Sequence, residues 1–492
     1  MSEQNQNTQN PERDFDWRIQ LRNSLKTKDR VTIERVKMPE VAPSERIKSN
    51  IEVNIGITKA QALTESKRCI DCVSPSCISG CPVGINIPGF IKCVEAENFI
   101  EAAKILKSSS TLPAVCGRVC PQEVQCESKC VYTQKLNKPA VAIGNLERFV
   151  ADYERNSKAI SIPEIKESKG IKVAVVGSGP AGLAAAADLA KMGYAVTVFE
   201  ALHEIGGVLK YGIPEFRLPN EIVDVEIEVL RKMGVTFVNN FLVSKTATFD
   251  DLRTEGFKAF FVGCGAGLPN FMNIPGENSI GVYSSNEFLT RINLMSAGRN
   301  NAPTPILCGR NVAVIGGGNT AMDSVRTAKR LGAERAMIVY RRSLEEMPAR
   351  KEEIHHAQEE GIEFMVLNNP LEYFADDKGK VKQMKLQKME LGEPDASGRR
   401  KPVAVKGSEY LVDVDTVIVS VGVSPNPLIP QTLKGLDVSK WGTFVINQET
   451  MQTSIPDVFA GGDIVRGGAT VILAMGDGRK AAAQIDKYLQ NS

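Results

Sequence analysis

The apolar positions fall into three textures along the chain. Up to about residue 45 they are sparse, and charged and amide side chains dominate. Such a stretch either stays disordered or lies as an arm over another surface. From about Ile57 the spacing becomes helical. Thr58 is placed to cap KAQALTESKR, which leads into the first cysteines, and a second helical run, FIKCVEAENFIEAAKILKSS, follows. The segment from Ser157 to Gly170 is charged, poor in apolar residues and interrupted by Pro163, as a linker would be. At Ile171 the texture changes to IKVAVVG, a continuous apolar run of the kind buried in a parallel sheet; a glycine turn, an alanine-rich helix and a second strand, AVTVFE, follow. The same order returns at NVAVIGGGNTAMDSVRTAKRLGA and AMIVYRR. Two more apolar segments, DTVIVSVG and DVFAGGD, lie toward the C-terminus. Two strand–turn–helix–strand openings in one chain predict two α/β units behind a helical one.

Composition narrows the function classes. The 492 residues are enough for two or three domains. The formal charge of +2 gives no basic or acidic excess that would direct the chain to nucleic acid or a membrane surface. No uninterrupted apolar stretch reaches the roughly eighteen residues of a membrane span. The opening MSEQNQNTQNPERDFDW has neither the basic start nor the apolar core of a secretory signal. The expected location is the cytoplasm.

The glycine turns carry the first chemistry. Gly177-x-Gly179-x-x-Gly182 sits directly between a strand and a helix. The first glycine permits the tight turn, the second lets the backbone approach a pyrophosphate, and the third lets helix and strand pack closely. Glu200 ends the next strand, at the distance suited to a ribose hydroxyl. The second turn, Gly316-x-Gly318-Asn319-Thr320-Ala321, is followed by a strand ending in Tyr340-Arg341-Arg342 rather than in an acid. Guanidinium groups there would bind the 2′-phosphate that an acid repels, so this site is expected to take NADPH. The segment Ile455–Asp463 resembles the second FAD motif of two-dinucleotide-binding flavoproteins. That resemblance implies that Asp463, after Gly462, meets the ribityl chain and that the helix after Thr470 points at the flavin ring. A disulfide reductase would need a cysteine pair beside the flavin. Cys264 and Cys308 stand alone, expected as buried structural thiols, so electrons must leave by another route.

Nine of the 11 cysteines lie between Cys69 and Cys130. Eight of these nine form the groups Cys69-x2-Cys72-x4-Cys77-x3-Cys81-Pro82 and Cys116-x3-Cys120-Pro121-x3-Gln125-Cys126-x3-Cys130. Close spacing with proline after the last ligand of a run is the manner of ferredoxins. Zinc would need two short pairs and no more. Iron–sulfur clusters therefore account better for this density of thiols.

RCIDC, CISGCPVGINIPGFI, LPAVCGRVCPQEVQCESKC and AIGNLERFVADY resemble the family of the small subunit of NADPH-dependent glutamate synthase. So do VVGSGPAGLAAA, EIGGVLKYGIPEFRLP, VIGGGNTAMD, VYRRSLEEMPAR and DVFAGGDIVRGGATVILAMGDGRKAA. The large subunit of NADH-dependent ferredoxin:NADP oxidoreductase is equally similar, and the N-terminal part of dihydropyrimidine dehydrogenase is a more distant relative. The resemblance runs from about residue 40 to the end. It implies an α-helical iron–sulfur domain followed by two α/β Rossmann-like dinucleotide-binding domains, the NADP domain inserted in the FAD domain. The expected division is a polar arm over 1–45, the helical domain with two [4Fe–4S] clusters over 46–156 and a linker over 157–170. The FAD domain would cover 171–288 and 413–492, with the NADPH domain over 289–412. The resemblance further implies one cluster on Cys69, Cys72, Cys77 and Cys130. The other would be held by Cys81, Cys120 and Cys126 with Glu147 as fourth ligand, although a count of thiols alone would choose Cys116. It places Gly206, Gly207 and Arg217 along the FAD.

The implied function is passage of electrons from NADPH through FAD to the clusters, most directly as the glutamate synthase small chain. A larger glutamate synthase chain, or another electron-accepting subunit, is the expected partner, and neither nucleic acid nor a membrane is. The alternative is the large subunit of the electron-bifurcating oxidoreductase. Intact motifs at every cofactor site argue against a purely structural protein. Because the cofactors do the chemistry, no catalytic acid or base is assigned, and His203, His355 and His356 are expected at the surface. There is no cysteine directly after the initiator Met and no sequence left for a barrel, so the chain alone is expected to make no glutamate from glutamine.

Overall fold

The structure, a computed structural model, describes residues 10–491 apart from 159, 299–301, 303, 396 and 397. The first nine residues of the expected arm lie outside the described residues. The rest of the arm is laid across the helical unit and buries its charges in pairs. Arg18 and Arg22 donate to the buried Asp71 carboxylate, and Arg30 makes a two-pronged contact with Glu95 at 2.8 and 3.0 Å. Polar composition alone hid this packing, because a buried guanidinium is tolerated once a carboxylate offsets its charge and its terminal nitrogens find acceptors.

Thr58 caps helix Lys59–Arg68 through a capping box with Gln61. The run expected to follow is two helices, Ile87–Glu95 and Phe99–Ser109. Glu97 takes a left-handed φ of 60° between them and turns the chain. Pro113–Val119 and Ile143–Asn156 complete the unit and pack on each other closely: a Cβ on Gly117 would stand 2.6 Å from the backbone nitrogen of Arg148.

Two five-stranded parallel sheets follow. The first has the order Val458–Ala460, Phe257–Val262, Lys172–Val176, Ala195–Phe199, Thr236–Val238. The second has the order Val282–Ser284, Thr416–Val419, Asn311–Ile315, Arg335–Tyr340, Glu363–Val366. The chain thus leaves the first sheet after Val262 and returns to it at Val458. The expected limits of the inserted unit, 289 and 412, fall inside it. The strand Val282–Ser284 and the strand from DTVIVSVG both pair into the second sheet, the latter against Asn311–Ile315. An antiparallel sheet built on Asn368–Ala375 and Val381–Pro394 extends this unit. Where the chain crosses between units, Leu268–Pro269 and Val423–Ser424 form a two-residue ribbon. Helix Val471–Gln490 crosses helix Pro180–Lys191 so closely that a Cβ on Gly478 would lie 2.1 Å from the Ala181 carbonyl oxygen.

Candidate functional site

Helix ends and short turns bring the cysteines together in two groups. Cys69 closes helix Lys59–Arg68, Cys77 sits in the turn Ser76–Ser79, and Cys130 follows the turn Glu127–Lys129. Burial pushes the Cys77 thiol well up, and the neighbours that add to it are Cys69, Cys130 and Cys72. The second group lines one small pocket, where Cys81, Cys120 and Cys126 face Glu147. Among the described residues, no three cysteine sulfurs lie within 4.8 Å of one another. A zinc ion holds thiolates at about 2.3 Å and so about 3.8 Å apart. The wider spacing suits a larger inorganic group.

Glu147 is 6% exposed, and its Oε1 is buried with no hydrogen-bond partner. Burial, with Glu226 nearby, pushes the carboxyl up to about 8. A buried carboxyl without a donor is costly, and a cation facing it would remove the cost. Cys116 is fully buried behind this pocket rather than in its lining; its thiol lies 3.6 Å from the Met475 sulfur and accepts from the Ser110 hydroxyl at 3.8 Å. Cys93 belongs to the apolar core of the helical unit.

The first glycine turn meets its steric requirements. Gly177 takes φ +100°, and a Cβ on Gly182 would stand 1.9 Å from the Gly177 carbonyl oxygen. A Cβ on Gly179 would meet only the Gly263 carbonyl oxygen, at 3.9 Å, so this position faces open space. Glu200 is buried at the end of its strand and accepts from the Ser178 amide and hydroxyl and from the Leu202 amide at 2.6–2.9 Å. Gly206 and Gly207, both at positive φ, fold against the turn, with a Cβ on Gly207 2.9 Å from Gly179 Cα. Gly462, at φ +76°, donates to Asp477, and burial pushes the next residue, Asp463, up to about 6. Asp463 and Glu200 both bear on Tyr211, held up at about 12 chiefly by burial. Ser178, bonded to Glu200, and Tyr211 thus stand beside these acids, although no local pattern singles them out.

At the second turn Gly316 takes φ +143°, and its Cβ would meet the Ser420 carbonyl oxygen at 2.2 Å, while Gly318 faces open space. Asn319 accepts from the Arg350 amide, and Thr320 and the buried Ala321 continue the helix. The two arginines expected for a 2′-phosphate separate. Arg341 is exposed; Arg342 is buried and already committed to Asp395 at 2.6 Å and to the Arg400 carbonyl. Arg217, expected along the FAD, has its guanidinium paired with Asp323 and Glu353 of the second unit. Two expectations of exposure or burial are reversed. Cys264 is exposed beside Gly177, and His356 is 1% exposed, with Nε2 3.1 Å from Glu40. His203 is exposed, as is His355.

One helix start lies between the Gly462–Asp463 turn and the second cysteine pocket: the Ala469 amide donates to Asp463 at 3.1 Å, and a Cβ on Gly462 would meet that of Ala474 at 3.5 Å. Thr470 caps helix Val471–Gln490 and faces Gln125 at 3.5 Å; Ile472 lines the pocket; Gly476 packs on Pro82, next to Cys81. From residue 470 to 476 the rise is about 9 Å.

A family model described as dihydropyrimidine dehydrogenase domain II, 4Fe-4S cluster, matches residues 46–159. One described as pyridine nucleotide-disulphide oxidoreductase matches residues 171–478. The Glutamate synthase [NADPH] small chain of Escherichia coli (strain K12) is 37% identical over 94% of this chain and 98% of its own length. That of Azospirillum brasilense is 35% identical over 92% and 94%. Mycobacterium tuberculosis FprA, solved in complex with NADPH, shares the fold with a TM-score of 0.54, at 21% identity over 65% of this chain and 85% of that one.

Proposed function

Because this chain belongs to the glutamate synthase small-chain family and is an NADPH-dependent oxidoreductase of that type, we propose that it passes electrons from NADPH through FAD to two [4Fe–4S] clusters and on to a larger glutamate synthase chain. The observation that carries this reading is the helix start at Thr470–Gly476, which packs against the Gly462–Asp463 turn and borders the pocket of Cys81, Cys120, Cys126 and Glu147. When bound, the flavin would take a hydride and the clusters single electrons.

The residues then have distinct tasks. Gly177, Gly179 and Gly182 leave room for the FAD pyrophosphate before the helix N-terminus. Glu200 would trade one of its local donors for the ribose hydroxyl, Gly206 and Gly207 hold the turn against Gly179, and Asp463 and Thr470 face the remainder of the FAD. Gly316, Gly318, Asn319, Thr320 and Ala321 would cradle NADPH. Cys69, Cys72, Cys77 and Cys130 would hold one cluster; Cys81, Cys120 and Cys126, with Glu147, the other. The domain limits that fit the sheets are about 171–281 and 420–491 for FAD, around an NADPH domain of about 282–419. Among the described residues no helix is long and apolar enough to cross a membrane, and the cytoplasm is the proposed location.

The purified chain is expected to reduce an artificial dye with NADPH and to form no glutamate from glutamine and 2-oxoglutarate. Glutamate from the single chain would overturn the division of labour; failure of NADPH to bleach the bound flavin would overturn the whole reading. The exposed Arg341, rather than the committed Arg342, is assigned to the 2′-phosphate. Arg341→Ala should raise KM for NADPH about tenfold or more, the worth of one charge-assisted contact, and leave NADH kinetics unchanged. Equal kinetics of the unmutated protein with both nucleotides would remove the basis for this assignment.

A further inference from the structure

A short antiparallel pairing near the N-terminus sets one side of a group of possible ligands. The Val41 amide donates to the Val53 carbonyl at 2.9 Å and the Ile55 amide to the Pro39 carbonyl at 2.8 Å, which places Glu40 opposite Asn54. Helix Lys351–Glu359 supplies the other side. Glu352 and His356 are four positions apart on it and share one face. Asn54 reaches across and donates through Nδ2 to Glu352 Oε1 at 3.1 Å. One oxygen of Glu40, one of Glu352 and one ring nitrogen of His356 all lie within 4.8 Å of one another. Glu40 is exposed, Glu352 half-buried and His356 buried.

His356 separates this group from an ordinary patch of surface acids. It is 1% exposed, and neither of its ring nitrogens has a hydrogen-bond partner. A buried imidazole with both nitrogens uncommitted is costly. Nε2 nevertheless stands 3.1 Å from Glu40 Oε2, out of line for a hydrogen bond. A nitrogen lone pair and a carboxylate oxygen held that close repel each other unless a cation lies between them. Ligand atoms at about 2.0–2.2 Å from a first-row cation come to about 3 Å from one another, which is the separation found. The neighbouring arginines hold the carboxylates in place. Arg46 Nη1 lies 3.3 Å from Glu40 Oε2, and Arg350 Nη2 lies 2.7 Å from Glu352 Oε2. Each is answered by further acids: Arg46 by Glu359 at 2.8 Å and Glu360 at 2.9 Å, Arg350 by Glu123 at 3.7 Å. They therefore orient the two ligand carboxylates without cancelling their charge.

We propose that Glu40, Glu352 and His356 form a binding site for one first-row divalent cation of the Mn²⁺ or Zn²⁺ kind. The donor set is one imidazole nitrogen and two carboxylates, with no thiolate. Imidazole suits zinc and its neighbours, and carboxylates suit manganese. Because Glu40 is exposed, water completes the coordination. The site shares no residue with the glycine turns or the cysteine groups, so it stands or falls separately from the electron-transfer reading. Its occupant ties the Glu40 segment to helix Lys351–Glu359. It stabilises the folded chain, because the unfolded chain does not bring the three ligands together.

The experiment titrates Mn²⁺ into the full-length protein with flavin bound and clusters oxidised, after a chelator has removed loosely held metal. Oxidised [4Fe–4S] clusters are silent in electron paramagnetic resonance, so the signal of free Mn²⁺ reads what remains unbound. The unmutated protein should take up one Mn²⁺ per chain and release it to one equivalent of Zn²⁺, which such ligands hold more tightly. Its Tm should rise with either cation present. Glu40→Gln preserves the shape of an exposed side chain. It should weaken Mn²⁺ binding about tenfold or more, abolish the cation-dependent rise in Tm, and leave flavin and iron content unchanged. Glu352→Gln and His356→Gln should weaken binding in the same way. Glu40→Gln decides the matter even if the buried His356 tolerates no change. Absence of Mn²⁺ uptake by the unmutated protein overturns the proposal and leaves Glu40 and His356 as an ion pair. Uptake that persists undiminished in Glu40→Gln and Glu352→Gln also overturns it, since the cation would then sit on other surface acids.

Discussion

Replacing Glu147 with alanine is expected to leave the protein with four irons instead of eight and one reduced-cluster signal instead of two in electron paramagnetic resonance. The carboxyl is buried against Cys81, Cys120 and Cys126, its Oε1 has no hydrogen-bond partner, and burial holds it at about 8. Alanine offers no ligand atom, so the second group would keep three of its four. Cys116→Ala should retain all eight irons, because that thiol packs on Met475 outside the pocket lining. Stability gives an independent sign. A structural hydrogen-bonding carboxylate would be missed when removed. An orphaned one destabilises the metal-free fold by about 1–3 kcal/mol. The metal-free Glu147→Ala protein should therefore melt no lower than the unmutated metal-free protein, while the loaded protein loses a cluster. Eight irons in Glu147→Ala together with cluster loss in Cys116→Ala would reverse the assignment.

The second large effect is steric. Gly182→Ala would put a methyl 1.9 Å from the Gly177 carbonyl oxygen, a backbone atom in a turn that also packs on Gly263 and Cys264. Nothing there moves cheaply, and overpacking of this kind costs about 1–3 kcal/mol or more. The variant should emerge colourless, without flavin absorbance, and with a clearly lowered Tm. Gly179→Ala makes the control. Its Cβ points into open space and its φ of −69° suits any residue. The apoprotein should keep its Tm, yet flavin should be lost on dilution, because the methyl occupies the approach of the pyrophosphate. Normal flavin content in Gly182→Ala would contradict the assignment of this turn.

Features that depend on a few consecutive residues were legible in the sequence. Thr58 and Gln61 form the capping box that their spacing suggests, and the glycines of both turns occupy positions where a side chain would collide or be open to a ligand. Cysteine spacing pointed to clusters, but the resemblance was needed to single out Glu147, since a lone acid in an amphipathic helix reads locally as surface charge. Long-range pairing escaped a local reading. Arg217 and Asp323 are 106 positions apart, and Arg342 and Asp395 are 53 apart. Arg18, Arg30 and Arg46 sit in text that looked solvated, because the acids that make their burial tolerable come from other segments. The three-residue strand Val282–Ser284 is too short to carry a period of its own, which is why the expected boundary of the inserted unit fell after it.

The return of the chain to its first sheet has a kinetic consequence. The edge strand Val458–Ala460 and helix Val471–Gln490 complete a unit whose other strands end at Val262. At synthesis rates of about 5–20 residues per second, the roughly 195 residues between them take about 10–40 s to emerge. For that time helix Pro180–Lys191 lacks the partner that Gly478 lets approach, and its alanine-rich face stays bare on the ribosome. The inserted unit waits less, since its last strand, Thr416–Val419, comes roughly 50 residues after Glu363–Val366, about 3–10 s at the same rates. The nascent chain should therefore acquire its NADPH-binding half first, lean on chaperones in the interval, and load flavin only after the last helix docks.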